Sequence, residues 1–145
     1  MLAAVQRGGE VRARVVANVT TENAKAAMLE WADTSADLLT DDRGFRKIGK
    51  PFASHRAVKH STGEYVCKDD PEVYTNTIEG FFSRVKRQIG GTFHNVSKEH
   101  LHRYVAHAAY LYNARALNDG ERASHLIQRT RGKRLMYRDP TGNGR

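Results

Sequence analysis

Cysteine, acidic side chains and long apolar runs are what this chain has least of. Its one cysteine, Cys67, cannot close an internal disulfide or build a multi-cysteine zinc site, and a reducing, cytoplasmic compartment is the expectation. No apolar run approaches the roughly 20 residues of a membrane-spanning helix. The opening MLAAVQRGGEVRA meets charge too early for a signal peptide. No segment pairs a basic face with a Trp/Leu face suited to lipid, so a membrane partner is set aside. Internal repeats and low-complexity tracts are also lacking.

Acids are outnumbered, 16 Asp and Glu against 24 Lys and Arg, for a formal net charge of +8 and a pI near 9.9. That balance points to a polyanionic partner, nucleic acid first, with an affinity that falls as salt rises. The 145 residues, 39% hydrophobic and 28% charged, suit one folded domain.

Residues 11 to 19, VRARVVANV, alternate apolar and polar positions with the period of a half-buried strand. Before them, Leu2 to Val5 is a short apolar run and Arg7-Gly8-Gly9-Glu10 a turn, so the chain opens on a hairpin. Thr20 or Thr21 caps a helix whose face is Ala24, Ala27, Met28 and Trp31. Residues 36 to 40, ADLLT, read as a strand ending at Asp41-Asp42. RGFRKIGKPFASH reads as a short helix stopped by Gly49 and Pro51, and HRAVKH, residues 55 to 60, as a further short strand. STGEYVCKDDPEVY is a polar loop.

TNTIEGFFSRVKR, residues 75 to 87, is the informative helix. Ile78, Phe81, Phe82, Val85 and Ile89 form its buried ladder. At about 100° per residue, Glu79 and Lys86 lie within about 20° of one line beside that stripe, about 10 Å apart and too far for a direct ion pair. A metal-ligating acid with a phosphate-binding lysine and a merely solvated pair both fit this placement. Gly90-Gly91 is expected to end the helix. Ser97 caps a long one from about 98 to 118, with Leu101, Tyr104, Val105, Ala108, Leu111, Tyr112 and Arg115 on its inner face, Arg115 by its aliphatic stem. The coarse order is β-β-α-β-α-β-α-α, an α/β domain. His100, His102 and His107 do not share one face, which argues against zinc.

Asp41 at a strand end, 37 intervening residues, and then NTIEGFFSRVKRQIGGTFHNVSKEHLHRYVAHAAYLYNAR, together with RGFRKIGK, HRAVKHSTGEYV and GKRLMYR, resemble the ISXO-like transposase domain of bacterial insertion sequences. The resemblance runs from about residue 2 to residue 138. It implies an RNase H-like mixed sheet flanked by helices, in which three acids hold two Mg²⁺ or Mn²⁺ ions for phosphoryl transfer on DNA. Carried over residue by residue, Asp41 is the second acid and Glu79 the third. Lys86 is the basic position expected to touch DNA phosphate, with Arg84 and Arg87 beside it. Asn76 and His60 fall in family blocks, and Tyr74 stands where many relatives have His.

In the family the first acid lies on a strand preceding the hairpin, whereas no acid here precedes Glu10, which belongs to the predicted turn. The expectation is therefore a partial catalytic domain over residues 1 to 118, lacking the first strand. A basic extension with a partly disordered tail follows over 119 to 145. Such a chain would not be a competent transposase by itself. The alternative is a non-catalytic DNA-binding remnant that could interfere with an intact transposase relative or join a homo-oligomer. The clusters Arg43/Arg46/Lys47/Lys50, Arg84/Lys86/Arg87 and Arg131/Lys133/Arg134 would supply its phosphate contacts.

Overall fold

The computed structural model describes residues 1–41, 47–58 and 75–133. Strands β1 (Leu2–Val5) and β2 (Val11–Arg14) form an antiparallel hairpin in which Leu2 lies opposite Arg14 and Val5 opposite Val11. Its turn is closed by Gly9 N–H donating to the Gln6 carbonyl, with Gly8 at a φ of 68°, where a side chain would be strained. β2 is shorter than its alternating pattern predicts. Its ladder with β1 reaches only as far as Arg14, which pairs with Leu2. Val16 instead packs into the core, and Thr20 caps helix α1 (Thr21–Trp31) by accepting from Asn23 N–H at 3.2 Å.

Strand β3 (Asp37–Asp41) pairs in parallel with β4 (Ser54–Val58), placing Asp41 opposite Val58. The segment before β4 turns tightly at residues 48 to 51, and Gly49 lies directly beneath the His55 ring. There is no room for a Cβ there, since one would stand 2.1 Å from the imidazole. The ring in turn meets the Thr40 hydroxyl across the strands, Nε2 to Oγ1 2.8 Å. Most of the short helix expected over RGFRKIGK, and the end of the HRAVKH strand with His60, lie outside the described residues.

Helix α2 (Asn76–Arg87) does not stop at Gly90-Gly91 as expected. It widens into a π-helical segment, Gln88–Phe93, and the chain reverses at His94. Glycines without Cβ atoms let the turn loosen, and Phe93 is carried far enough to meet Tyr104, with ring centroids 4.6 Å apart. Helix α3 (Leu101–Asn113) is shorter than predicted at both ends. A separate helix, α4 (Asp119–Thr130), occupies the start of the stretch read as a basic extension. Its signal was a capping box: Asn118 accepts from Glu121 N–H, and the Glu121 carboxylate accepts from Asn118 N–H, both at 2.9 Å.

The result is an α/β fold, but among the described residues the strands form two separate two-stranded sheets instead of one mixed sheet. Packing joins them where hydrogen bonding does not. Leu2 and Ala4 of β1, Leu38 of β3, and Ile48 and Phe52 share one apolar cluster with Ala24, Ala27 and Met28 of α1. The opposite face of the hairpin, Ala3, Val5, Val11 and Ala13, packs on Phe81 and Val85 of α2 and Ala108 and Tyr112 of α3. Phe81, at 1% exposure, is worth about 2–3 kcal/mol of burial. Among the described residues no helix is long and apolar enough to cross a membrane.

The end of α3 is tied to the hairpin by polar groups. The Asn113 side chain accepts from Val11 N–H at 2.7 Å and donates to the Val11 carbonyl at 3.0 Å, completing the outer edge of β2 as a neighbouring strand would. Arg115 works by its guanidinium rather than the stem packing expected of it. That group lies 4.4 Å over the Tyr112 ring and donates to the Gly9 and Tyr112 carbonyls. On the other side of the hairpin, Arg14 pairs with Glu30, whose carboxyl is held below its usual range by that hydrogen bond.

Two stability outcomes follow. Asn113→Ala leaves both Val11 backbone groups without their partner and should lower unfolding free energy by about 1–3 kcal/mol in urea titration. Gly49→Ala should cost about 1–3 kcal/mol by overpacking against His55, and its nuclear magnetic resonance signature is a shifted His55 ring.

Candidate active site

Glu79 enters the structure through the local start of α2. Thr75, the residue before the helix, is 6% exposed, and its carbonyl accepts the Glu79 N–H at 3.1 Å. Its hydroxyl donates to Glu79 Oε1 at 2.7 Å. One helical turn separates the two, so the capping residue also fixes the rotamer of the acid. Glu79 is solvent-exposed beside the stripe formed by buried Phe81 and Val85 and half-buried Ile78 and Phe82, as the periodicity predicts. Thr75 was not among the site residues read from sequence. The signal available was a hydroxyl four residues before the acid at a helix start, a spacing equally common in helices with no chemistry.

Lys86, Arg84 and Arg87 are exposed in the last turn of α2, where the helix dipole favours cations. Asn76 is exposed at the first helical position, one turn before Glu79. Glu79, Lys86 and Asn76 thus open onto solvent from one helix whose opposite side is anchored in the core. Asp41 is the last residue of β3, and the described structure covers its backbone position there. His60 and Tyr74 lie outside the described residues. Glu10 sits in the hairpin connection, its carbonyl accepting from Gln6 N–H.

Glu79 offers a hard oxygen donor of the kind Mg²⁺ or Mn²⁺ prefers, already oriented by a hydroxyl behind it. Among the described residues, however, no three of His, Cys, Asp and Glu come together as a metal-holding group. The donor chemistry fits, and the described residues do not complete the set.

The three histidines at the start of α3 and along it stand in two different surroundings. His102 is exposed, with Nδ1 2.9 Å from the Glu99 carbonyl. His100 and His107 share a cavity with Phe93, Arg103 and Tyr104. Tyr112 is buried and meets Phe81 edge-on, while Tyr110 donates its hydroxyl to the Arg122 carbonyl and so docks α4.

Neither the curated proteins nor the solved structures yield a significant match to this chain. A family model does: the ISXO2-like transposase domain matches residues 1–113, which include the hairpin, Asp41, Glu79, the basic end of α2 and Asn113. With more than three quarters of its length covered by that match, the chain belongs to the ISXO2-like transposase domain family.

Proposed function

We propose that this chain carries the second and third acids, Asp41 and Glu79, of a DDE transposase catalytic domain acting on insertion-sequence DNA. The observation that carries the reading is Glu79 itself: a solvent-facing carboxylate, held by the buried Thr75 hydroxyl, on the same helix line as Lys86. Asp41 and Glu79, with a further carboxylate, would hold Mg²⁺ or Mn²⁺. Those ions supply Lewis-acid activation for in-line phosphoryl transfer. Thr75 is a positioning residue whose hydroxyl, donating to Glu79 Oε1, fixes the rotamer of the acid. Lys86, with Arg84, Arg87 and Asn76, binds the DNA backbone beside the reacting phosphate.

A further carboxylate, on a strand beside the hairpin, would complete the metal-holding set. The separation of the two small sheets supports that arrangement, since β1 and β3 share an apolar cluster without sharing a ladder. Two carboxylates without a third would hold the ions too weakly for DNA cleavage and strand transfer.

A second reading has its own support. In it the exposed basic turn of α2 binds DNA without any chemistry. In that case the chain acts by occupying the DNA, or the oligomer interface, of an intact relative.

The deciding experiment compares this chain with a version extended at its N-terminus by a strand bearing an acid, in Mn²⁺-dependent cleavage and strand transfer. Activity confined to the extended form, and lost by at least about 100-fold in Glu79→Gln, is the expected result. Activity of the short form that survives Asp41→Ala defeats the assignment, and salt-dependent DNA binding with no cleavage by either form favours the second reading. In the extended form, Thr75→Val should weaken Mn²⁺ binding by calorimetry roughly 10- to 100-fold, with Thr75→Ser restoring it. Lys86→Ala should weaken binding evenly across DNA sequences and reduce the slope of log affinity against log salt by about 1.

A further inference from the structure

A cavity of about 480 Å³ lies between the π-helical segment and α3, lined by Phe93, His100, Arg103, Tyr104 and His107. None of these residues belongs to the acidic and basic row on α2. The cavity is built by two departures from regular helix. The first is the widening at Gln88–Phe93, and the second is the reversal at His94, whose φ of 58° and ψ of −44° are costly for a residue with a side chain. Together they hold the Phe93 ring against Tyr104 at 66° and 6.3 Å from His107. The remaining lining residues recur at the i, i+3, i+4, i+7 spacing of one side of α3.

Tyr104 is therefore not closed core, as its ladder position predicts, but part of a half-open aromatic wall. Among the described residues the Arg103 guanidinium makes no hydrogen bond or ion pair. A volume of this size falls in the range that accepts a small ligand. Aromatic faces beside an uncommitted guanidinium and two imidazoles suit a flat heteroaromatic ring that carries an anionic group. The basic last turn of α2, Arg84, Lys86 and Arg87, runs straight into the segment that forms one wall. A phosphate backbone lying on that turn is led toward the cavity.

We propose that this cavity receives one unpaired base of a DNA strand, its ring against Phe93 and Tyr104 and its phosphate against Arg103. The identity of the ligand as DNA rests on the transposase reading above. Stacking on aromatic side chains tolerates any base, so the cavity selects for an unpaired end and not for a sequence. A role of this kind places a DNA terminus relative to α2 without any contribution from the metal-holding acids.

The test uses the full 145-residue chain with three probes: deoxyadenosine monophosphate, a blunt duplex, and the same duplex with a single-base overhang containing 2-aminopurine. The expected result is quenching of the 2-aminopurine and tighter binding of the overhang than of the blunt duplex. Monophosphate-induced shifts should be confined to Phe93, Arg103 and Tyr104 resonances. Phe93→Leu and Arg103→Gln should each reduce the overhang preference roughly 5- to 100-fold while leaving blunt-duplex affinity and thermal unfolding in place. A variant that fails to fold is replaced by Tyr104→Leu under the same criteria. Duplex binding with no overhang preference and no response to the monophosphate overturns the cavity assignment and leaves the transposase reading standing. A response to the monophosphate without any duplex binding does the reverse. The same preference shown by an RNA overhang of equal length overturns the assignment to DNA.

Discussion

Two hydrogen bonds from one amide, Asn113 to the backbone of Val11, hold the arrangement on which the rest of the molecule depends. A hairpin of two four-residue strands cannot stand alone in water, and β2 would present an open edge. The Asn113 side chain satisfies that edge in place of a third strand. The preceding residue, Tyr112, meets Phe81 of α2 with ring centroids 5.8 Å apart at 86°. Phe81 follows Glu79 by two residues, so three contacts lead from the hairpin edge to the candidate catalytic acid. Arg115 adds a second tie to the hairpin turn through the Gly9 carbonyl.

Helix α2 carries both faces of the functional proposal because its two sides have different work. One side buries Phe81 and Val85, which fixes its rotation about its own axis. The other side then has no freedom left, and Glu79, Lys86 and Asn76 are delivered to solvent in a set order. The hydroxyl of Thr75 adds the last constraint, on the rotamer of the acid. The same helix, continued into its π-helical segment, shapes the aromatic cavity between that segment and α3. DNA contacts proposed for α2 and for the cavity are thus joined by one continuous stretch of chain.

Periodicity was legible wherever burial was one-sided. The Ala24, Ala27, Met28 face of α1 and the Phe81, Val85 face of α2 stand where the 3.6-residue repeat puts them, because an apolar stripe has only one favourable way to turn. Ends of elements were less legible. β2 is paired only as far as Arg14, and α2 passes through two glycines because Phe93 finds Tyr104 beyond them. The capping box that starts α4 is present in the letters Asn118 to Glu121, within a stretch whose basic composition is that of an extension.

What the sequence determined by itself was the set of amphipathic faces, the basic charge that favours a polyanion, and the placement of Glu79 and Lys86 on one line of one helix. All of these follow from local spacing and composition, which no distant contact can alter. Tertiary structure decided what depends on residues far apart in the chain. It tied Asn113 to Val11 across 102 positions, gathered β1 and β3 around one apolar cluster without pairing them, and turned Tyr104 from a core position into a cavity wall. Such partners are chosen by packing and by the need to satisfy backbone groups, and neither leaves a mark at a fixed spacing in the sequence.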